Sequence, residues 1–324
     1  MSVRRTSVLA ALAGLFLLTP PAASLPPPTT RLAPGEHQTI VNDLRLWYRV
    51  AGRSDGVPIV FLHGGPGQGS KSFAKLVGPA VEPSLRMVYL DQRGSGRSER
   101  PWNDAYSLDL VVDDLEKLRQ AWGVPRIGLI GHSIGSMLGM EYGAKYPDRV
   151  AGMVLAASGP DLPAAFNAQC DRLAKADPAA YARAVADVEP GSKLKCNVYK
   201  GALKNRLQAF VDGNMFPNPA VAKLVEREDN ANGLRNTGQY SRALIGGGIL
   251  NYQFGRPERL TMPVLVVAGE KDYQTGTGPQ RAFAARLPRG RFLEYKNAGH
   301  FMYVEQTPRF ARDVIGFFND AARR

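Results

Sequence analysis

The motif GHSIG at residues 131–135 constrains the fold of this chain more than any other stretch. Residues 126–130 before it form an apolar run typical of a buried strand, and residues 136–142 after it have helical spacing. A serine between two glycines at a strand-to-helix turn is the nucleophile elbow G-x-S-x-G. A Cβ two residues before or after Ser133 would collide with neighbouring elements, which explains the glycines. The motif therefore predicts that Ser133 is a nucleophile in an α/β fold.

Strand-like and helical patterns alternate over two separate parts of the chain. Apolar runs predict strands within 39–50, where the pattern is that of a hairpin, and at 58–62, 86–90, 126–130, 150–157, 263–268 and 290–295. Helical spacing falls at 71–78, 108–122, 136–145 and 308–321. Such alternation predicts a mostly parallel sheet flanked by helices. In such sheets, working residues collect beyond the carboxyl ends of the strands.

Residues 161–260 lack strand-like runs and contain only helical segments, at 162–176, 178–188, 196–211 and 219–231. A connection of this length is too long for a simple loop. We predict a helical cap inserted before the last two strands. The predicted organisation is a signal peptide (1–24), the first part of the core (25–160), the cap (161–260) and the second part of the core (261–324).

The first residues have the pattern of a secretory signal peptide. Arg4 and Arg5 precede an apolar run at 8–18, and small residues follow at 22–24. The apolar run is short for a membrane-spanning helix, so we predict export and no stable membrane span after cleavage; an uncleaved anchor is the alternative. In an exported chain, Cys170 and Cys196 predict a disulfide, with two independent buried thiols as the alternative.

Charge and residue clustering exclude several kinds of partner. The net charge is +12, but the basic residues are scattered and are not interleaved with aromatic ones, which argues against nucleic acid. The four histidines and two cysteines are dispersed, and no glycine-rich loop has a phosphate-binding spacing. We therefore predict no metal, no cofactor, and a small molecule or short peptide as substrate. The sequence contains no signal for the oligomeric state.

A nucleophilic serine needs an imidazole base, and chain position selects one of the four histidines. His37 precedes the predicted strands, and His63 belongs to a glycine-rich loop. His132 is adjacent to Ser133, and we expect its side chain to point away from the hydroxyl and to be structural. His300 follows the last predicted strand and can reach over the sheet edge. We therefore predict that His300 is the base.

The acid that orients the base is predicted from the preceding strand end. Asp272 follows the strand at 263–268, with Glu270 as the competing choice. Asp272 lies further beyond the strand end and is preferred. The resulting order of Ser133, Asp272 and His300 is the nucleophile–acid–base order of α/β-hydrolases.

An acyl-transfer intermediate also needs two donors for its oxyanion. The backbone N–H of Ile134 directly follows the nucleophile and is the first donor. The loop after the strand at 58–62 supplies the second, for which Gly65 is preferred and Gly64 is the alternative.

Taken together, these motifs resemble the α/β-hydrolase superfamily, and within it the proline iminopeptidase branch (serine peptidase family S33). The motifs are HGGPG at 63–67, DQRGSG at 91–96 followed by Ser98, the elbow, Asp272 and AGH at 298–300. The resemblance implies a Ser-His-Asp triad under a helical cap, and removal of N-terminal residues, often proline, from peptides. It also implies cap glutamates that recognise a free amine; the cap offers Glu189, Glu226, Glu228 and several aspartates, none of which is selected by a motif.

The elbow departs from that branch, which usually has Gly-Gly-Ser-Trp-Gly-Ser. This chain has GHSIGS, the more general esterase and hydrolase form. The sequence thus predicts an exported serine hydrolase, first an aminopeptidase of proline iminopeptidase type and second a carboxylesterase or lactonase of small acyl esters. The third alternative is a non-catalytic binding protein on the same fold.

Overall fold

The computed structural model describes residues 32–65, 67–198, 207–231 and 238–322. The predicted signal peptide lies outside these residues. The described chain forms an eight-stranded sheet in the order β1-β2-β4-β3-β5-β6-β7-β8. Its strands are β1 (Gly35–Val41), β2 (Leu44–Gly52), β3 (Ile59–Leu62), β4 (Arg86–Leu90), β5 (Ile127–His132), β6 (Val150–Ala156), β7 (Val264–Gly269) and β8 (Gly290–Tyr295).

Strands β3 to β8 run parallel to one another, and β1 and β2 form an antiparallel pair at one edge. Every residue of β3, β4, β5 and β7 is buried, because helices cover both faces of the sheet. This confirms the predicted fold class, a mostly parallel sheet flanked by helices.

Helices from the two parts of the core cover this sheet. They are α1 (Lys71–Leu76), α2 (Gly78–Val81), α3 (Leu108–Trp122), α4 (Ile134–Lys145), α10 (Thr277–Ala284), α11 (Met302–Glu305) and α12 (Thr307–Ala322). Helix α3 begins where its sequence predicts, because the Ser107 hydroxyl accepts a hydrogen bond from Leu110 N at 3.1 Å.

Between β6 and β7 the described chain forms helices and no strand of the sheet. These helices are α5 (Leu162–Ala176), α6 (Pro178–Ala186), α7 (Gln208–Met215), α8 (Pro219–Asn230) and α9 (Gln239–Gly246). They lie where the sequence predicts the cap. The predicted disulfide is present: Cys170 on α5 is bonded to Cys196, and both are buried in a small apolar cluster within the cap.

Two local predictions were wrong. Strand β1 begins at Gly35, so His37 lies in the sheet, where its ring stacks on Tyr48 with centroids 5.3 Å apart. Pairing with β2 extends β1 beyond the alternating apolar residues from which we predicted it. Residues 196–198 are not helical, because the disulfide and a bond from Asn197 N to Ala184 O hold them in an irregular loop.

Among the described residues, no helix has both the length and the apolar character needed to cross a membrane.

Candidate active site

Ser133 occupies a strained turn between β5 and α4. Its φ is +54° and its ψ is −119°, a conformation that non-glycine residues rarely adopt. The turn is tight: a Cβ on Gly131 would lie 2.6 Å from Gly135 O, and one on Gly135 would lie 2.0 Å from Leu62 O. Both positions therefore require glycine, as the sequence predicts. The backbone N–H of Ile134 follows the serine at the first position of α4.

Asp272 and His300 form a buried pair on the loops after β7 and β8. His300 Nδ1 lies 3.1 Å from both carboxylate oxygens of Asp272. The Thr275 hydroxyl donates to Asp272 Oδ2 at 2.7 Å, and the N–H groups of Gln274 and Thr275 donate to Oδ1. Burial acts to raise the pKa of Asp272, but His300 and Thr275 outweigh it, so the pKa lies below its usual value. An ionised Asp272 keeps the proton on His300 Nδ1, which leaves Nε2 to accept another.

Glu270, the competing acid, does not reach this pair. Its side chain accepts hydrogen bonds from Lys296 Nζ and Asn297 N at the surface, both at 2.9 Å. The structure thus places Asp272, and not Glu270, against His300.

His132 ties the elbow to the His300 loop. Its Nε2 donates to the backbone oxygen of His300 at 3.1 Å, and its Nδ1 accepts from the Tyr303 hydroxyl at 3.2 Å. The ring centroids of His132 and His300 are 4.9 Å apart. Burial, followed by the proximity of His300, places the pKa of His132 well below its usual value, so this ring is neutral. The structural role predicted for His132 therefore takes the form of a bond to the backbone of His300.

The glycine-rich loop after β3 packs directly on the elbow. A Cβ on Gly64 would lie 3.0 Å from Ser133 Cβ and 2.9 Å from His132 Nδ1. His63 Nδ1 donates to Gly64 O at 2.8 Å. Because N–H and C=O point in opposite directions across a trans peptide, this bond turns the N–H of Gly65 away from His63. Gly65 itself has a φ of +122°, which favours glycine.

The loop after β4 acts as a support for that glycine-rich loop. Gln92 N donates to His63 Nε2 at 3.1 Å, and the Gln92 side chain donates to His63 O at 3.0 Å. Asp91 accepts from Ser70 N at 2.7 Å and from Arg97 Nε at 2.7 Å. Asp91 and Gln92, the first two residues of the motif at 91–96, thus help to fix the backbone near Ser133.

The three glutamates considered for substrate binding are exposed or partly exposed side chains of the cap. Glu189 and Glu226 are exposed. Glu228 on α8 is partly buried and accepts a hydrogen bond from Arg227 at 2.7 Å. Their exposure contrasts with the burial of the Asp272–His300 pair.

A different cap carboxylate, Asp229 on α8, is largely buried against the core. Ser72 on α1 donates to it from its hydroxyl and its backbone N–H. Its Oδ1 has no hydrogen-bond partner among the described residues. Burial raises its pKa to about 6. Burial and the nearby Asp229 carboxylate also place the pKa of Tyr303 well above its usual value, so Asp229 lies close to the tyrosine that bonds His132.

Sequence reasoning missed Asp229, Thr275 and Tyr303. Thr275 carried a usable signal, because a hydroxyl residue three positions after Asp272 can bond the carboxylate in a turn. Asp229 carried no such sequence signal, since one acid on an amphipathic helix resembles any solvated charge.

Within the described ranges, no group of three or more histidine, cysteine, aspartate or glutamate side chains could hold a metal ion.

Several known proteins are similar to this chain in sequence or in fold. The proline iminopeptidase of Neisseria meningitidis (serogroup A) is 41% identical over 115 residues, which are 34% of this chain and only 36% of that relative. The proline iminopeptidase of Heyndrickxia coagulans is 25% identical over 82% of this chain and 91% of its own length. The proline iminopeptidase-related protein of Thermus thermophilus superposes with a TM-score of 0.71 at 25% identity, covering 88% of this chain and 97% of that one.

A more distant structure, an N-acyl homoserine lactone degrading enzyme, shares the fold with a TM-score of 0.62 at 22% identity over 87% of this chain and all of that one. The family model for the alpha/beta hydrolase fold matches residues 57–307, which include the elbow and both loops of the Asp272–His300 pair. Fold, site and family match together support a serine hydrolase enzyme, and the chain belongs to the α/β-hydrolase family.

Proposed function

We propose that this chain is an exported serine hydrolase that releases N-terminal residues from small peptides, as an aminopeptidase of proline iminopeptidase type. The observation that carries the hydrolase assignment is the buried Asp272–His300 pair beside the strained Ser133 turn. Ser133 is the nucleophile, His300 the base, and Asp272 the residue that fixes the His300 tautomer.

The reaction proceeds in two acyl-transfer steps. His300 Nε2 takes the proton of the Ser133 hydroxyl as its oxygen attacks the scissile carbonyl, and the N–H groups of Ile134 and Gly65 stabilise the oxyanion. The protonated imidazole then gives its proton to the leaving amine, which leaves an acyl-enzyme. Water, activated by the same imidazole, hydrolyses this ester and restores Ser133.

Asp229 supports the aminopeptidase assignment. A carboxylate with one oxygen unpartnered among the described residues, held beside Ser72 and near Tyr303, can accept a hydrogen bond from a substrate ammonium. An incoming positive charge would also favour the ionised form of Asp229 and so offset its burial. The full-length relatives are proline iminopeptidases, which agrees with this choice.

The second candidate is a carboxylesterase or lactonase of small acyl compounds. It is favoured by the elbow, where His132 and Ile134 occupy the positions of Gly and Trp in the iminopeptidase motif. The exposed positions of Glu189 and Glu226 agree with it, because neither residue offers a buried carboxylate for a substrate amine.

Export is proposed from two observations. The N-terminal sequence has the charge, apolar run and small residues of a signal peptide. The disulfide between Cys170 and Cys196 is typical of chains that fold in an oxidising compartment. Fractionation of the native host with an antibody against residues 32–324 tests export; accumulation of the uncleaved chain in the cytoplasm would contradict it.

An active-serine fluorophosphonate probe tests the hydrolase assignment. We expect wild type to be labelled and Ser133→Ala to be unlabelled. Turnover of prolyl and other aminoacyl naphthylamides is then compared with turnover of short-chain nitrophenyl esters. Inert amides with active esters would replace the aminopeptidase assignment by the second candidate.

The Asp229→Asn variant tests amine recognition, with Glu226→Gln on the same helix as the matched control. We expect Asp229→Asn to raise KM for aminoacyl naphthylamides by about tenfold, the effect of one charged hydrogen bond. KM for uncharged esters should stay the same. Equal KM values for the amides in wild type and Asp229→Asn would remove Asp229 from the binding site.

A further inference from the structure

Two cap helices bond directly to the loops that carry the proposed acid and base. Helix α7 ends at Met215, and its last carbonyls have no partner within the helix. Asn214 O accepts a hydrogen bond from Tyr273 N, and Met215 O accepts one from His300 N, both at 2.9 Å. Consecutive carbonyls at one helix end are thus satisfied by the residue after the acid and by the base itself.

A second connection runs through buried amide side chains. Asn214 Nδ2 donates to Gln169 Oε1 at 3.1 Å, and Gln169 Nε2 donates to Gln274 O at 2.9 Å. Gln274 N in turn donates to Asp272 Oδ1 at 3.0 Å. Gln169 and Asn214 are 1% and 0% exposed, so these bonds form away from competing water.

Tight packing also restricts movement where the end of α7 contacts the loop that carries His300. A Cβ on Gly299, next to the base, would lie 2.2 Å from Pro217 Cδ and 2.6 Å from Met215 O. The rings of Phe216 and Phe301 are stacked with centroids 4.8 Å apart. The cap therefore contacts the base loop on both sides of His300.

We propose that Gln169, Asn214 and Met215, here named the cap clamp, position Asp272 and His300 for catalysis. The inference rests on the proposed function and adds positioning residues outside the triad. A displacement of about 1 Å at a reacting group can cost about a hundredfold in rate, so loops held by the cap can control kcat without contacting substrate.

Isosteric variants test the clamp. Gln169→Met and Asn214→Leu remove the amide bonds while keeping side-chain bulk. We expect each to lower kcat by about 10- to 100-fold with KM changed by less than about threefold. Gln208→Met is the matched control on α7, because the Gln208 amide bonds Asp212 at the surface. Its kcat should equal that of wild type.

The effect of a variant on the stability of the protein must be separated from its effect on the positions of Asp272 and His300. Leu173→Ala removes a cap-core side chain that is 1% exposed and lies outside the clamp bonds. Assayed well below its melting temperature, it should retain the wild-type kcat. A kcat within twofold of wild type for both Gln169→Met and Asn214→Leu would overturn the proposal. The proposal would also be overturned if Leu173→Ala lost as much kcat as the clamp variants when its melting temperature fell by the same amount.

The double variant shows whether the two amides act as one unit. We expect Gln169→Met with Asn214→Leu to lose no more activity than the worse single variant, because both break the same chain of bonds. A loss of activity in the double variant that equals the product of the two single losses would contradict a single clamp.

Hydrogen exchange gives a readout that needs no activity. In Gln169→Met and Asn214→Leu, peptides covering residues 270–276 and 297–303 should exchange faster, and in Gln208→Met they should not. The exchange rates of these peptides do not depend on whether Ser133 is the nucleophile. Turnover that survives in Ser133→Ala would therefore end the proposed function, whereas unchanged exchange in the clamp variants would end the clamp.

Discussion

His132 Nε2 lies 3.1 Å from the backbone oxygen of His300, so the neighbour of the proposed nucleophile holds the proposed base. This bond joins the end of β5 to the loop after β8, across two intervening strands of the sheet. Tyr303 completes the arrangement, because its hydroxyl donates to the other ring nitrogen of His132. With a carbonyl on one side and a hydroxyl on the other, the neutral ring has both nitrogens satisfied.

Replacing this ring should cost both stability and activity. We expect His132→Ala to lower the free energy of unfolding by about 2–4 kcal/mol, since it opens a cavity and leaves the Tyr303 hydroxyl unpaired. Tyr303→Phe removes only one hydrogen bond and should cost about 1 kcal/mol. Urea unfolding and kcat measured on both variants check this. Equal costs for the two variants would mean that the bond to His300 O contributes nothing.

The contact of Gly64 with the elbow leads to a second prediction. Gly64→Ala places a methyl group 3.0 Å from Ser133 Cβ, so either the serine or the glycine-rich loop must move. We expect the rate of fluorophosphonate labelling to fall by about 10- to 100-fold. Gly278→Ala is the control, because a Cβ there meets nothing within 4 Å. Labelling of Gly64→Ala at the wild-type rate would show that the elbow tolerates this shift.

The triad loops could be predicted from the sequence because the polar residues follow strand-like runs, and parallel strands bring their ends to one edge. The contacts between the cap and these loops could not be predicted. The bonds from Tyr273 N to Asn214 O and from His300 N to Met215 O use backbone carbonyls, which leave no mark on residue type. Gln169 did carry a signal: it occupies a core position of α5, beside Cys170 and among buried apolar residues. A polar residue at such a position usually has a buried partner, but sequence alone does not say which.

Asp229 should make stability depend on pH. Its pKa of about 6, above the 3.8 of an unperturbed carboxyl, means that the folded chain binds this proton more tightly than the unfolded chain. The resulting stabilisation is complete below pH ~4 and is lost as pH rises through about 6. Relative to Asp229→Asn, wild type should therefore lose about 2 kcal/mol between pH 4 and 7. Urea midpoints across this range measure the difference.

Glu226→Gln serves as the control for that measurement, because Glu226 is exposed on the same helix. Its stability should follow the wild-type profile. Parallel profiles for wild type and Asp229→Asn would show that Asp229 is solvated and would weaken its proposed role in amine binding.

The Thr275 hydroxyl bond to Asp272 gives a third site-directed prediction. Thr275→Val removes a 2.7 Å bond that favours the ionised carboxylate. We expect kcat to fall by about tenfold, because Asp272 then holds His300 less firmly. Thr277→Val is the matched control: it removes a hydroxyl bond from the start of α10 to Gly269 O at the end of β7, and this bond does not involve Asp272. Equal kcat values for the two variants would contradict this role of Thr275.

The disulfide between Cys170 and Cys196 should stabilise the cap and, through it, the clamp. Closing a loop of 26 residues corresponds to about 3 kcal/mol in the chain-entropy model. Cys170 also adjoins Gln169, so freeing α5 should loosen the amide bonds to the acid loop. We expect reductant to lower the unfolding midpoint and kcat of wild type together, and a Cys170→Ser, Cys196→Ser double variant to show both losses without reductant. A double variant that loses stability but keeps kcat would show that the clamp holds independently of the disulfide.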